Sequence, residues 1–114
     1  MPEAVSIIVP VFNEEGAIVS TIAAIDETMR AIGREYEVLV VDDGSTDGTA
    51  QALTATTARV VRHRANRGYG AALKSGLRAT SYPLVAILDA DGTYPIARLP
   101  DLLARVADAD MVVG

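Results

Sequence analysis

Short runs of apolar residues alternate along the chain with longer segments in which apolar residues recur every three or four positions. The short runs are rich in Val, Ile and Leu, which is typical of strands buried on both faces of a parallel sheet. They predict strands over residues 5–11, 36–45, 58–63 and 82–91, and the start of a further strand at 111–114.

The segments between these runs predict helices. The first carries a periodic apolar face, formed by Ile18, Ile22, Ile25, Met29 and Ile32. Asn13 is placed to cap its N-terminus and Gly33 to end it. Further helices are predicted over 45–58, over 66–80 with a cap near Asn66, and over 99–110 with Pro100 at the first position. This alternation predicts an α/β fold, with right-handed crossovers and helices on both faces of a parallel sheet.

Length and composition agree with one globular domain over residues 1–114. Hydrophobic residues make up 50% of the chain, and no apolar run approaches the ~20 residues of a membrane-spanning helix. The chain has no cysteine, and its first residues do not resemble a secretory signal, which favours a cytoplasmic setting. Because the chain ends on an apolar strand, we expect it to be truncated from a longer protein and to self-associate through an uncovered edge.

Charge is unevenly distributed. The net charge of −5 argues against a nucleic-acid partner, yet Arg59, Arg62, Arg64 and Arg67 lie close together. This cluster is interpreted either as solvated surface or as an attractor for an anionic ligand. His63 is the only histidine, has no partner motif, and is predicted to be an ordinary surface residue.

Acidic residues follow the ends of two predicted strands. Asp42 and Asp43 end the second strand, and Asp89 and Asp91 end the fourth. Residues two apart in an extended chain point to the same side, so Asp89 and Asp91 are expected to face one pocket. Paired carboxylates suit Mg²⁺ or Mn²⁺, which take phosphates as further ligands. The alternative is that these acids only cap the amides of neighbouring turns.

A glycine pair opens the third helix. Gly68 and Gly70 would let a ligand approach the backbone at a helix N-terminus, which favours anions. The alternative is a tight turn into the helix. Lys74, one turn further, is placed either to reach a phosphate or to remain in solvent.

Two families share fragments of this pattern. The segment LDADGT resembles the nucleophile loop of haloacid-dehalogenase-type phosphatases, but here it follows the fourth strand and not the first. The segment GYGAAL, followed by Asp89, imitates a dinucleotide-binding fingerprint, but Leu73 stands where the third glycine belongs. Neither family explains the other strand ends.

Four segments taken together resemble family 2 glycosyltransferases over nearly the whole chain. They are SIIVPVFNEE, EVLVVDDGSTDGT, NRGYGAALKSG and LVAILDADGTYP, and the likeness is greatest to the polyprenyl-phosphate sugar synthases of the dolichol-phosphate mannose type. The resemblance implies the Rossmann-like GT-A fold, with strands in the order 3-2-1-4. It also implies a UDP-sugar or GDP-sugar donor and a polyprenyl-phosphate, other lipid or glycan acceptor at the cytoplasmic face of a membrane.

The resemblance also implies roles for single residues. Asp89 and Asp91 would be catalytic by holding the metal that bridges the diphosphate. The nucleotide would be bound by a larger set: Pro10, Phe12, Glu14, Asp42, Asp43, Gly68, Lys74 and Asp89. Thr93 stands where many relatives have glutamine. Since the acceptor half of such enzymes comes later in the chain, two further interpretations stay open: a nucleotide-binding module without turnover, and a purely structural or interaction domain.

Overall fold

The computed structural model describes residues 4–90 and 111–113. Over this part of the chain the elements follow in strict alternation up to the fourth strand: β1 Val5–Val11, α1 Ile18–Ile32, β2 Tyr36–Asp42, α2 Thr49–Leu53, β3 Arg59–Arg62, α3 Tyr69–Ala79, β4 Leu84–Ile87 and β5 Met111–Val113. The helix predicted over 99–110 lies outside the described residues.

All described strand pairs are parallel, and the sheet order is β3-β2-β1-β4-β5. The predicted order 3-2-1-4 is therefore confirmed. In parallel sheets of this kind the carboxyl ends of the strands meet at one edge, where ligands bind. The ends of β1, β2 and β4 lie side by side at that edge, because Val11 is paired with Asp42 and Ile8 with Ile87.

The sheet is covered on both faces, as predicted. One face packs against the apolar stripe of α1 and against Leu53 of α2, and the other packs against α3. Gly76 brings α3 close to the sheet, because a Cβ at this position would lie 2.8 Å from the Ile8 side chain and 3.2 Å from that of Val41. The helix therefore rests directly on β1 and β2.

Three local predictions were wrong. The first helix begins at Ile18 after Ala17, with no side-chain cap, because Asn13 is engaged elsewhere. Helix α3 begins after Gly68, again with no side-chain cap, so the cap predicted near Asn66 does not form. Helix α2 ends at Leu53, where Thr54 and Thr56 donate side-chain hydrogen bonds to the carbonyls three residues earlier. Such bonds compete with helix continuation. The predicted end at Gly33 is confirmed, with φ of 74°.

Strand β3 lies at one edge of the described sheet. Its Arg59 and Arg62 side chains are exposed, and charges on an edge strand oppose pairing with another chain. Self-association stays a prediction. No helix in the described part of the chain is long and apolar enough to cross a membrane.

Candidate functional site

Two adjoining cavities lie at the carboxyl edge of the sheet. The first, here called the Asp43 cavity, has a volume of about 320 Å³, and its lining includes Pro10, Phe12, Asp43, Asn66, Gly68 and Tyr69. The second, the Asp89 cavity, has a volume of about 270 Å³ and is lined by Pro10, Phe12, Glu14, Tyr69, Asp89 and Ala90. The two cavities share Pro10, Phe12 and Tyr69. Six of the predicted nucleotide-binding residues are thereby brought to one continuous depression.

Asp43 is a buried carboxylate with an extensive set of donors. Its Oδ1 accepts hydrogen bonds from His63 Nδ1 at 2.7 Å and from the backbone N–H of Arg67 at 2.9 Å, and its Oδ2 accepts from the N–H of Gly68 at 2.9 Å. Burial alone would raise the pKa of Asp43, but these hydrogen bonds outweigh it and hold the pKa below its usual value. The cavity therefore contains a carboxylate that stays ionised at neutral pH.

His63 is not an ordinary surface residue, and that prediction was wrong. It is buried, and its ring bridges Asp43 on one side and the hydroxyl of Ser75, 2.7 Å from Nε2, on the other. The two partners lie 20 and 12 residues away in the sequence, so no local motif indicated these contacts. The predicted strand order, which puts β3 beside β2, was the one signal that could have placed His63 next to Asp43.

Gly44 allows the segment between β3 and α3 to close over the end of β2. Its φ is 77°, and a Cβ there would lie 2.5 Å from the backbone nitrogen of Asn66. Any side chain at this position would push that segment away. The close approach keeps the N–H groups of Arg67 and Gly68 within reach of Asp43.

Asp42 lies on the opposite face of the sheet from Asp43, because successive residues of a strand point to opposite sides. It is fully buried and lines a third cavity, of about 470 Å³, beside Leu53 and Arg62. Its Oδ1 accepts from the N–H of Ser45 at 3.0 Å. Among the described residues Oδ2 has no hydrogen-bond partner, and Arg62 Nε lies 3.8 Å from it. The structure thus separates two residues that the sequence predicted to bind nucleotide together.

The turn after β1 is fastened to the loop after β2. Asn13 adopts φ of 53° and accepts through Oδ1 from the backbone of Thr46 at 2.8 Å, while its own N–H donates to Ser45 Oγ at 2.9 Å. The N–H of Glu14 donates to Thr49 Oγ1 at 2.9 Å. Through these hydrogen bonds Asn13 joins the two loops, and Glu14 is held in the wall of the Asp89 cavity.

Asp89 is partly exposed at the end of β4. Its Oδ1 accepts a hydrogen bond from the Tyr69 hydroxyl at 3.3 Å, and Glu14 lines the same cavity. Asp91, the second member of the predicted metal pair, lies outside the described residues. Among residues 4–90 and 111–113, no group of three or more His, Asp or Glu side chains is arranged to hold a metal ion. The Asp89–Asp91 metal site stays a prediction.

Tyr69 and Asn66 line the cavities but were not predicted from the sequence as site residues, whereas Lys74 was predicted as one. Tyr69 and Phe12 are large exposed aromatic residues, with 52% and 43% of their surface accessible, and both belong to both cavities. The signal in the sequence was an aromatic residue between two glycines at a helix start. Lys74 is exposed on α3 and lines neither cavity.

The four arginines predicted to form a cluster make different contacts in the structure. Arg59 forms a 2.6 Å ion pair with Glu37, and Arg67 enters the site through its backbone. Arg59, Arg62, Arg64 and Arg67 are all exposed. For Arg59 a structural role is thus defined, while attraction of an anionic ligand by the others stays a prediction.

The comparison with known families agrees with this geometry. The family model described as "Glycosyl transferase family 2" matches residues 6–114. The chain belongs to family 2 of the glycosyltransferases. This membership excludes the phosphatase and dinucleotide-binding families considered from the sequence, and it accounts for the four motifs that meet at the carboxyl edge.

Similar curated proteins include two named undecaprenyl-phosphate 4-deoxy-4-formamido-L-arabinose transferase. The one from Pseudomonas paraeruginosa is 38% identical over 96% of this chain and 34% of its own length. The one from Klebsiella pneumoniae is 35% identical over 96% of this chain and 36% of its own length. The chain therefore spans about a third of the length of the curated relatives it matches.

Solved structures confirm the GT-A fold of the family. A mannosyltransferase from Pyrobaculum calidifontis, in complex with GDP-mannose and Mn²⁺, superimposes with a TM-score of 0.82 at 31% identity, covering 95% of this chain and 33% of that one. Glucosyl-3-phosphoglycerate synthase from Mycobacterium tuberculosis, in complex with Mn²⁺, UDP and glucosyl-3-phosphoglycerate, has a TM-score of 0.79 at 31% identity, covering 95% of this chain and 41% of that one.

Proposed function

We propose that this chain is the nucleotide-sugar-binding part of a metal-dependent glycosyltransferase that uses a UDP-sugar or a GDP-sugar. The observation that carries the proposal is the continuity of the Asp43 and Asp89 cavities. An ionised, buried carboxylate lies in one, acidic residues line the other, and the two share Pro10, Phe12 and Tyr69. A nucleoside diphosphate needs a similar arrangement, with a base pocket next to a site for a metal-bound diphosphate.

The base is assigned to the Asp43 cavity. A carboxylate accepts hydrogen bonds and cannot donate them, so Asp43 suits the N–H groups of uracil or guanine. The exposed aromatic rings of Phe12 and Tyr69 offer faces on which a base or ribose can pack. Pro10 and Gly68 complete the wall without polar side chains that would compete for the base.

The diphosphate and metal are assigned to the Asp89 cavity. Asp89, Asp91 and Glu14 supply hard oxygen atoms of the kind that Mg²⁺ and Mn²⁺ prefer, and the two solved structures named above contain Mn²⁺. A bound cation would neutralise the charge that develops on the departing diphosphate. In this scheme Lys74 adds only long-range attraction, and Asp42 acts indirectly by holding Ser45.

The acceptor proposal rests on the relatives. Because the two curated relatives are named as undecaprenyl-phosphate transferases, we assign a polyprenyl phosphate, or another lipid or glycan, as acceptor. We place the parent protein at the cytoplasmic face of a membrane. The second candidate is a nucleotide-binding module without turnover. The observation that favours it is that both described cavities at the carboxyl edge are assigned to the donor nucleotide and its metal, and no described residue is assigned to the acceptor.

Calorimetry with UDP and GDP, with and without Mn²⁺, tests the proposal. We expect one of the two to bind with a Kd of ~10 μM to 1 mM, about −4 to −7 kcal/mol, and only with the metal. Asp91→Asn should weaken this binding by about 1.5–3 kcal/mol, the scale of a charge-assisted contact. Glu27→Gln, which removes an equal charge from an exposed position on α1, is the matched control.

Two results would contradict the proposal. One is equal affinity of Asp91→Asn and the parent, and the other is binding that does not respond to metal or chelator. Release of UDP or GDP from its sugar conjugate separates the two candidate functions: turnover supports the transferase, and metal-dependent binding without turnover supports the module.

A further inference from the structure

We propose that His63 is a positioning residue that fixes the Asp43 carboxylate for recognition of the base, so that the site selects bases with an N–H on the edge facing Asp43. The inference rests on the proposed function, since it assumes that a nucleotide base occupies the Asp43 cavity. It adds His63, which directly follows the edge strand β3 and lies outside the four motifs, to the determinants of donor choice.

The hydrogen bonds around His63 define which ring nitrogen carries the proton. Asp43 Oδ1, 2.7 Å from Nδ1, accepts only, so Nδ1 must donate. In the neutral ring Nε2 then accepts from the hydroxyl of Ser75, which lies at 2.7 Å. The backbone of His63 is held as well, because its N–H donates to the carbonyl of Asp42 at 2.9 Å. The imidazole is thus fixed at both ends and cannot rotate away from Asp43 without leaving a buried polar group unpaired.

Asp43 has one acceptor site left for a ligand. A carboxylate offers about four lone-pair directions. Two on Oδ1 are used by His63 and Arg67, and one on Oδ2 is used by Gly68. Within the described part of the chain the remaining direction on Oδ2 has no partner, and Asp43 lines the cavity. With His63 in place, the carboxylate cannot turn to offer Oδ1 instead, so a base meets one acceptor at one position.

This single fixed acceptor discriminates between bases. Uracil presents N3–H and guanine presents N1–H, whereas cytosine and adenine have an unprotonated acceptor nitrogen at the corresponding positions. A carboxylate facing an acceptor nitrogen gains no hydrogen bond and repels its lone pair. The preference for UDP over CDP, or for GDP over ADP, therefore depends on how rigidly Asp43 is held.

The test measures nucleotide affinity in the presence of Mn²⁺ for the parent and three substitutions of His63. His63→Leu removes both hydrogen bonds, His63→Gln carries an amide at the distance of Nε2, and His63→Asn carries its amide nitrogen near the position of Nδ1. We expect His63→Leu and His63→Gln to lose about tenfold in affinity for the preferred nucleotide, UDP or GDP. Affinity for its CDP or ADP counterpart should change less than about twofold. His63→Asn should recover most of the preference, because it still donates to Asp43.

Inorganic pyrophosphate with Mn²⁺ separates positioning from general damage. Its affinity should be the same in all four proteins, because it does not reach Asp43. Equal losses for pyrophosphate and nucleotide would show that His63 only supports the fold, and would overturn the inference. If the parent binds neither UDP nor GDP, the proposed function fails and the inference fails with it. If the parent binds one of them and His63→Leu keeps its preference, the inference alone fails.

Nitrogen NMR of the His63 ring gives a second readout that does not depend on how the variants fold. The expected spectrum of the parent shows a proton on Nδ1, the nitrogen that faces Asp43. A ring protonated at Nε2 alone would mean that Asp43 receives no hydrogen bond from His63, and would overturn the inference.

Discussion

Asp42 and Asp43 are adjacent in the chain and both buried, yet they lie in two different regions of the molecule. Asp43 lies on the α3 side, with three donors on its carboxylate and an opening to the candidate base cavity. Asp42 lies on the α2 side, with one backbone donor and Arg62 Nε 3.8 Å away. We therefore propose a binding role for Asp43 and a structural role for Asp42, and the alternation of the strand puts these identical residues on opposite sides of the sheet.

The largest expected effect comes from Gly44→Ala. The positive φ of Gly44 and the contact with the backbone of Asn66 mean that a methyl group must displace the segment that supplies two of the donors to Asp43. We expect a loss of about 2–4 kcal/mol in the free energy of unfolding and no measurable nucleotide binding. Urea denaturation measures the first and calorimetry the second. Gly16→Ala, at a position with no atom within 4 Å of the new Cβ, is the control and should change neither.

Asp43→Asn and Asp42→Asn test the comparison directly. Asp43→Asn keeps the shape but removes the charge that we propose binds the base, and should weaken UDP or GDP binding by about 1.5–3 kcal/mol. Asp42→Asn should change nucleotide affinity by less than about 0.5 kcal/mol, because Asp42 does not line either candidate cavity. Calorimetry of both variants provides the measurement. Similar losses in the two proteins would abolish the distinction between the two sides of the sheet.

Acid titration isolates the stabilising contribution of Asp43. The hydrogen bonds hold the pKa of Asp43 below its usual value of 3.8, so as the pH falls the unfolded chain takes up the proton first. The stability contributed by the ionised carboxylate is present above that value and is lost as the pH falls through the folded-state pKa. We expect the parent to lose more stability than Asp43→Asn between pH 4 and pH 2, measured by urea unfolding at each pH. Parallel pH curves would contradict the hydrogen-bonding scheme.

The smallest effect is expected for Arg62→Ala. The side chain is 56% exposed and its contact with Asp42 is long, so the loss in the free energy of unfolding should be about 0.5 kcal/mol. Nucleotide affinity should stay unchanged. Arg64→Ala, an exposed neighbour, serves as control in the same denaturant series. A loss several times larger for Arg62→Ala would mean that Asp42 depends on this arginine as Asp43 depends on His63.

The strands, the helices and the clustering of polar residues at the carboxyl edge could be predicted from local apolar runs and general rules of parallel sheets, and the strand order from the resemblance to family 2. The predicted cap at Asn13 was wrong, since the side chain hydrogen-bonds to Thr46 and Asp47, more than 30 residues away. His63 was misassigned for the same reason. Contacts between loops depend on which strands become neighbours and on side-chain direction, and neither property is visible in a local pattern. The single-domain extent of residues 1–114 stays a prediction.

The glycine at position 76 has a consequence for redesigning donor specificity. Helix α3 touches Ile8 and Val41 at a position where even one added methyl group would collide with them, so the helix cannot be moved inward to shrink the Asp43 cavity or refitted with a larger residue on that face. A designer who wants to change the proposed choice of base has to work from other positions in the lining of the cavity. Phe12 and Asn66 are the practical positions, because both are exposed and neither supports the sheet.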